Sequence, residues 1–137
     1  MMRTALALIV LLAQVQAANL IVDLKPPKVL KVRLTAYWVG QDEWTDALKS
    51  SSGRRLVCGV SCAVDPKIIP YGSKVTIKKT GRTFIAVDTG TAVKSRKAEW
   101  WKPKKLRKPV VDLFFKNEKD ARKFLARTGR YVEVEVR

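Results

Sequence analysis

Three aspartates in strand-like surroundings are the candidates for acid–base chemistry. Asp65, Asp88 and Asp112 each follow or interrupt a run of apolar residues, although aspartate is depleted from strands. The 137-residue chain has no histidine, which excludes Ser-His-Asp and Cys-His catalysis and any zinc site built on imidazole. Two cysteines cannot complete a four-thiolate site, so we expect neither a metal nor a cofactor. Proton transfer would therefore run through some of the 12 acidic residues.

Asp112 is the strongest candidate for a general acid. Burial among apolar neighbours penalises a charged carboxylate and raises its pKa toward the range that a general acid needs. The alternative is an edge-strand residue that faces water. Asp65 before Pro66 and Asp88 before Thr89 have a simpler alternative as turn formers. The apolar neighbours of Asp112 are Val110, Val111, Leu113, Phe114 and Phe115.

Short strands separated by turns must position these aspartates. Strands are predicted at residues 30–37, 56–64, 74–78, 83–87, 110–115 and 132–136, with a long polar loop over 41–55. The first strand alternates, with Leu30, Val32, Leu34 and Ala36 on its apolar face. Asn117 and Gly129 are typical of the two ends of a helix. Six strands and one short helix predict a small closed β-barrel, which leaves few exposed edges.

Five segments occur in a specific order: Leu34–Tyr37, Ser52-Gly53, Ala63–Val75, Ala86–Gly90 and Val111–Phe114. Together they resemble the 3D domain, a family named for three aspartates, over residues 31–136. The resemblance implies a mainly β fold, a six-stranded double-psi β-barrel (RlpA-like) with one short helix. It also implies a lytic transglycosylase, which cuts the MurNAc-GlcNAc β-1,4 bond of peptidoglycan and forms 1,6-anhydro-MurNAc.

The resemblance assigns roles to individual residues. Asp112 matches the acid/base, which protonates the leaving oxygen and then deprotonates the C6 hydroxyl of the same sugar. Asp88 matches a neighbouring catalytic aspartate that holds substrate or tunes the acid, because two close carboxylates raise one pKa. Asp65 is expected to be partly structural, and Thr35 and Tyr37 have the alternative of a polar strand face. The implied substrate contacts are Thr35, Tyr37, Asp65, Thr89, Gly90 and Lys94.

A basic insert at about residues 94–109 departs from the family pattern. Asp112 follows Asp88 by 24 residues, about twice the family spacing. Residues 94–108 hold eight basic residues and Trp100-Trp101, against Glu99 alone. The insert is either a solvated loop or a clamp on anionic wall polymer, with tryptophans stacked on sugars. A third possibility is a surface that binds single-stranded nucleic acid, which export argues against.

Residues 1–17 show the order of a secretory signal peptide. Arg3 precedes an apolar stretch, and cleavage is expected after Ala17. That stretch is too short for the alternative of a membrane anchor. Residues 18–29 read as a linker and residues 30–137 as the 3D domain. We expect an exported monomer in the periplasm, cell envelope or exterior, with peptidoglycan strands as partner. No nucleic acid and no transmembrane segment in the mature chain are expected.

Cys58 and Cys62 are candidates for a disulfide. In a straight strand their Cα atoms would lie about 13 Å apart, beyond disulfide reach. Gly59 permits the turn that a bridge needs, and export permits oxidation. The alternative is two packed thiols, and a catalytic thiol is not expected without histidine or metal.

Two other functions fit the same residues. Barrels of this fold also bind glycans without cutting them, so a non-catalytic binding module for peptidoglycan or anionic wall polymer is one rival. A glycan hydrolase that uses two aspartates is the other.

Overall fold

The computed structural model describes residues 7–14 and 26–137. Residues 1–6 and 15–17 of the predicted signal peptide, including the cleavage point at Ala17, and residues 18–25 of the predicted linker lie outside these ranges. Residues 7–14 form a short helix with exposed side chains. No helix within the described ranges is long and apolar enough to cross a membrane.

Six strands form a closed barrel with the spatial order β1-β5-β2-β4-β3-β6. The strands are β1 (Lys28–Trp38), β2 (Ser61–Ala63), β3 (Lys74–Ile77), β4 (Thr83–Asp88), β5 (Val110–Phe115) and β6 (Tyr131–Val136). The pairs β1–β5 and β2–β4 are parallel, and the other four pairs are antiparallel. The predicted six-stranded double-psi β-barrel is confirmed.

Alternating apolar residues fill the barrel, as the pattern of the first strand predicts. Val32 and Leu34 of β1 are buried in a single interior cluster. Phe84 and Phe115 meet edge to face inside the barrel, with ring centroids 6.2 Å apart. Residues at the intervening positions of β1 and β5 point to the outer face. That outer face carries the polar residues of the predicted site.

Two helices lie beside the barrel. α1 (Glu43–Asp46) was not predicted, because it has one turn and no apolar stripe; a capping box between Asp42 and Thr45 begins it. α2 (Glu118–Thr128) lies where the sequence predicts it, with the Asn117 side chain accepting from the Asp120 amide at 2.8 Å. The predicted loop over 41–55 is therefore partly helical, and the rest of it crosses the outer face of the barrel.

The strand predicted over 56–64 is too long. Residues 57–60 form a turn that is closed by a 2.9 Å bond from the Ser61 amide to the Val57 carbonyl. Gly59 adopts φ +72° there, a conformation that glycine reaches at little cost. This turn shortens the strand to β2.

The disulfide expected between Cys58 and Cys62 is not formed, and both residues are free thiols. Cys62 lies on the inward face of β2 and is fully buried in the barrel, whereas Cys58 is exposed on the preceding turn. The turn that a bridge requires is present, but it leaves Cys58 exposed to solvent while Cys62 is buried in the barrel. Burial, with the nearby Asp112 and Asp88, raises the pKa of the Cys62 thiol, which keeps it protonated and inert.

The basic insert has defined structure across the edge of the barrel. It contains two 3-10 segments, Lys94–Glu99 and Lys104–Leu106. Arg96 donates to the Arg107 carbonyl at 3.1 Å, and Arg107 donates to two further insert carbonyls at 2.9 Å. These bonds join its two ends, while most of its side chains stay exposed to solvent.

Glu99 fixes the insert to the barrel. Its side chain is fully buried and accepts from the Tyr131 hydroxyl of β6, from Lys102 at 2.9 Å and from the Lys108 amide at 2.7 Å. Burial alone would raise the pKa of Glu99, but these hydrogen bonds and the Lys102 charge lower it to about 2. Glu99, the only acidic residue of the insert, is thus ionised, and its carboxylate holds the insert against β6.

Candidate active site

Four residues form one row across the outer face of the barrel wall. Thr35 of β1 pairs with Asp112 of β5, Asp112 pairs with Ala63 of β2, and Ala63 pairs with Asp88 of β4. A bulge between β2 and β4 brings Asp88 level with Ala63. The Cα atoms of the two aspartates are therefore separated by two strand spacings, about 10 Å. The small Ala63 leaves open space between the carboxyl groups.

Asp112 lies half-buried at the floor of a cleft, next to Phe114 and other buried residues of β5. Burial raises the pKa of its carboxyl group to about 6, helped by the negative charge of Asp88 and opposed by a hydrogen bond from Thr35. That bond runs from the Thr35 hydroxyl to Oδ1 at 2.8 Å. Near neutral pH, Asp112 therefore exchanges a proton readily, which a general acid/base must do.

Asp88 differs from Asp112 in its bonding, because both of its oxygens accept hydrogen bonds. Oδ2 accepts from the Tyr37 hydroxyl at 2.9 Å, and Oδ1 accepts from the Ser51 amide and hydroxyl, both at 2.9 Å. The Ser51 hydroxyl also accepts from the Thr89 amide at 2.9 Å and lies 3.0 Å from the Tyr71 hydroxyl. Burial and the Asp88 charge raise the pKa of Tyr37, so it stays a neutral donor.

The two carboxyl groups line one open cleft of about 500 Å³. It lies between the barrel wall, the α1 turn and the segment that follows β4. The predicted site residues that line it are Tyr37, Asp88, Thr89, Gly90, Lys94 and Asp112. Thr35 is not in the lining and reaches the site through its bond to Asp112. The structure thus brings together seven of the eight predicted catalytic and substrate-binding residues.

Like Thr35, Asp65 does not line this cleft, and its side chain has no hydrogen bond to a residue that does. Its Oδ1 accepts from the Lys67 amide at 3.0 Å, as in a turn, and its Oδ2 accepts from the Ser95 amide at 3.2 Å. The first bond shapes the loop after β2, and the second holds the start of the insert beside the cleft. The position of Asp65 fits the structural part of its predicted role.

Several site residues escaped the sequence analysis. Ser51 bridges Asp88 and Thr89, and Trp44, which is 59% exposed, forms part of the cleft wall. Ser51 and Trp44 both lie in the predicted polar loop over residues 41–55, but nothing in the composition of that loop identifies either one as a site residue. Gln41 at the cleft mouth escaped for the same reason. The role of Ser51 follows from its contact with Asp88, and that contact is visible only in the folded barrel.

The bonding of Asp88 predicts the effect of removing its charge. In Asp88→Asn one side-chain oxygen becomes an amide group, which cannot accept from Tyr37 or Ser51. We expect a loss of about 1–2 kcal/mol in the free energy of unfolding. For the peptidoglycan cleavage that the resemblance to the 3D domain implies, we expect a rate about tenfold lower but not abolished, because positioning supplies only part of the barrier. Thermal denaturation and initial rates on purified sacculi measure both. An inactive Asp88→Asn protein with unchanged stability would contradict a positioning role.

The chain is similar to known proteins over part of its length. The chain is 36% identical over 84 residues to the putative cell wall shaping protein YabE of Bacillus subtilis (strain 168). The matched stretch is 57% of this chain and 19% of the relative. Among solved structures, MltA from E. coli has a TM-score of 0.39 and 23% identity, covering 64% of this chain and 26% of its own. The lytic transglycosylase LtgG of Burkholderia pseudomallei has a TM-score of 0.37 and 24% identity, covering 64% and 24%.

The chain thus spans about a fifth of the curated relative and about a quarter of each solved structure. The profile of the 3D domain matches residues 60–136, which is more than half of the chain. The matched stretch includes Asp65, Asp88 and Asp112, and it runs from the start of β2 to the end of β6. On this match, the chain belongs to the 3D domain family.

Proposed function

We propose that this protein is an exported lytic transglycosylase that cleaves the MurNAc-GlcNAc β-1,4 bond of peptidoglycan. Membership of the 3D family and the relative described as a putative cell wall shaping protein support the wall polymer as substrate. They also support action outside the cytoplasm. The observation that carries the proposal is a single carboxyl group, Asp112, with a pKa of about 6 at the floor of an open cleft.

One carboxyl group suffices for this reaction. Protonated Asp112 gives its proton to the glycosidic oxygen as the bond from that oxygen to C1 of MurNAc breaks. The resulting carboxylate then accepts the proton of the C6 hydroxyl as its oxygen bonds to C1. The 1,6-anhydro ring closes, and Asp112 ends protonated as it began. No water is consumed, so no second carboxylate is needed to activate one.

The bonding of Asp88 favours this reaction over hydrolysis by two aspartates. A hydrolase needs its second carboxylate free to attack the sugar or to activate water. Here three donors occupy the two oxygens of Asp88, from Tyr37 and Ser51. In our proposal, Asp88 orders the cleft wall and its charge favours the protonated form of Asp112.

Digestion of purified sacculi tests the proposed function. Mass spectrometry of the soluble products is expected to show muropeptides that end in 1,6-anhydro-MurNAc. Muropeptides with a reducing-end MurNAc would indicate the hydrolase instead. Intact sacculi that sediment with bound protein would indicate the non-catalytic binding module. Either of these two results would contradict the proposal.

The pKa of Asp112 predicts the pH dependence of cleavage. A general acid acts only in its protonated form, so the rate is expected to fall about tenfold per pH unit above pH 6. Thr35→Val removes the hydroxyl that stabilises the Asp112 carboxylate, so the falling limb should move to higher pH. Initial rates of anhydro-product release between pH 4 and pH 8 measure both. A rate that rises through this range would show that Asp112 does not act as the acid.

A further inference from the structure

A second cavity lies at the edge of the catalytic cleft, and cationic side chains dominate its lining. It has a volume of about 550 Å³. Its residues are Ile68, Ser95, Arg96, Lys97, Lys104 and Arg107. Four of these six carry a positive charge, and none is acidic. We call this cavity the insert pocket, because five of its residues belong to the basic insert.

Within the described part of the chain, no salt bridge neutralises the four cations of the insert pocket, although the Asp65 carboxylate lies at its edge on the Ser95 amide. Glu99, the only acid of the insert, is buried and committed to Lys102, Tyr131 and the Lys108 amide. Clustered like charges repel one another, so such a pocket is stabilised when an anion enters it.

The two arginines of the pocket are held in place before any ligand binds. Arg96 donates to the Arg107 carbonyl, and Arg107 donates to the Lys102 and Trp100 carbonyls. Both are half-buried, whereas Lys97 and Lys104 are exposed. Fixing a cation in advance lowers the entropy cost of binding. The lysines add mobile charge at the rim.

The insert pocket is adjacent to the catalytic cleft along the chain. Lys94 lines the cleft and Ser95 lines the pocket. Asp65 accepts from the Ser95 amide at this junction, which fixes one cavity relative to the other. A polymer that lies in the cleft and continues past Lys94 would bring its next units to the pocket.

We infer that the insert pocket is a second binding site, one for carboxylate groups on a glycan strand that extends from the catalytic cleft. The inference rests on the proposed function for the identity of the strand. Arginine and lysine bind carboxylates through charge-assisted hydrogen bonds. Trp100 and Trp101, which are 73% and 51% exposed, belong to the same insert. Arg33 covers one face of Trp101, so the more exposed Trp100 is the main surface on which a sugar ring can stack. Aromatic and cationic groups together favour an acidic sugar polymer over a simple anion.

The test uses Lys97→Gln/Lys104→Gln, which removes two rim charges and leaves the bonded arginines in place. Lys31→Gln/Lys119→Gln is the matched control, since it removes the same charge from exposed sites on β1 and α2. For binding, every protein also carries Asp112→Asn so that cleavage does not consume the polymer. Sedimentation is measured with sacculi stripped of phosphate polymers, at several salt concentrations. The same sacculi with their carboxyl groups amidated form the second arm.

On unmodified sacculi, the insert variant is expected to bind about tenfold more weakly than its parent at low salt, with a shallower salt dependence. On amidated sacculi the two should bind alike. Equal binding on unmodified sacculi would overturn the inference, as would an equal loss in the control variant. A loss of binding that persists on amidated sacculi would also overturn the inference, since the pocket would then bind a group other than a carboxylate.

The inference and the proposed function fail separately. Cleavage is followed on the same sacculi with proteins that retain Asp112. If no product appears but binding depends on Lys97, Lys104 and the carboxyl groups, the enzyme proposal fails and the pocket stands. If anhydro products appear and the insert variant binds and cleaves as its parent does, the pocket fails and the enzyme proposal stands.

Discussion

Asp112→Asn is expected to abolish release of anhydro-muropeptides and to raise the stability of the protein at neutral pH. Asparagine has the size of aspartate and an oxygen that accepts from Thr35, but it has no transferable proton. Loss of a general acid costs about 100-fold to 10,000-fold in rate. Product release from sacculi measures the first effect, and thermal denaturation as a function of pH measures the second.

The stability effect has a defined sign. Folding raises the pKa of Asp112 from its ordinary value near 4 to about 6, so the folded state binds more protons between these values. The free energy of unfolding of the parent therefore falls as the pH rises from 4 to 6. Asp112→Asn lacks this loss and should be more stable by about 3 kcal/mol above pH 6, and nearly equal to the parent at pH 4.

A matched control separates the site from a general change in charge. Asp46→Asn removes one negative charge from an exposed position of α1, outside the cleft lining. It should leave product release and the pH dependence of stability near those of the parent. An Asp112→Asn protein that still releases anhydro products at the parental rate would remove Asp112 from the mechanism.

Glu99→Gln is expected to loosen the insert and to cost about 2 kcal/mol of stability at neutral pH. The amide nitrogen of glutamine cannot accept from the Lys108 amide, and the ion pair with Lys102 is lost. Because Glu99 is fully buried, water cannot fully replace these bonds. Thermal denaturation measures the loss of stability. Limited trypsin digestion reports the loosening directly, since the insert is rich in lysine and arginine.

Two comparisons make the Glu99 result specific. Glu118→Gln breaks an exposed ion pair with Arg122 on α2, which should cost less than about 1 kcal/mol. Folding lowers the pKa of Glu99 to about 2, so its contribution is present above pH 4 and is lost as the pH falls toward 2. The gap between parent and variant should close over that range. Equal trypsin sensitivity of Glu99→Gln and the parent would show that Glu99 does not hold the insert.

The sequence was informative about the fold because its signals are local and periodic. Alternation along β1 identified Val32 and Leu34 as core, and the helix-end residues Asn117 and Gly129 marked α2. The single helical turn of α1 was not predicted, and the turn at Gly59 was considered only as a requirement of the disulfide, not as the end of a strand. Each is shorter than the stretch of sequence over which helical periodicity is recognised.

The sequence predicted the acidic residues of the candidate site, but not the residues that hold them and the insert in place. Asp112 and Asp88 were identified because both lie in or next to strand-like runs, and aspartate is depleted from strands. Ser51 and Glu99 were not, because their roles depend on contacts with residues 37 and 32 positions away. The disulfide was not found for a related reason: spacing cannot tell that Cys62 is buried in the barrel while Cys58 is exposed on the turn before it.

The most direct test of the account is digestion of purified sacculi in water enriched in oxygen-18, followed by mass spectrometry of the muropeptides. In the proposed reaction, the C6 oxygen of the sugar replaces the leaving group at C1. The products should therefore carry the anhydro mass with no added heavy oxygen. Products that are heavier by one water containing oxygen-18 would show that solvent attacks C1, and would contradict a mechanism in which Asp112 acts alone.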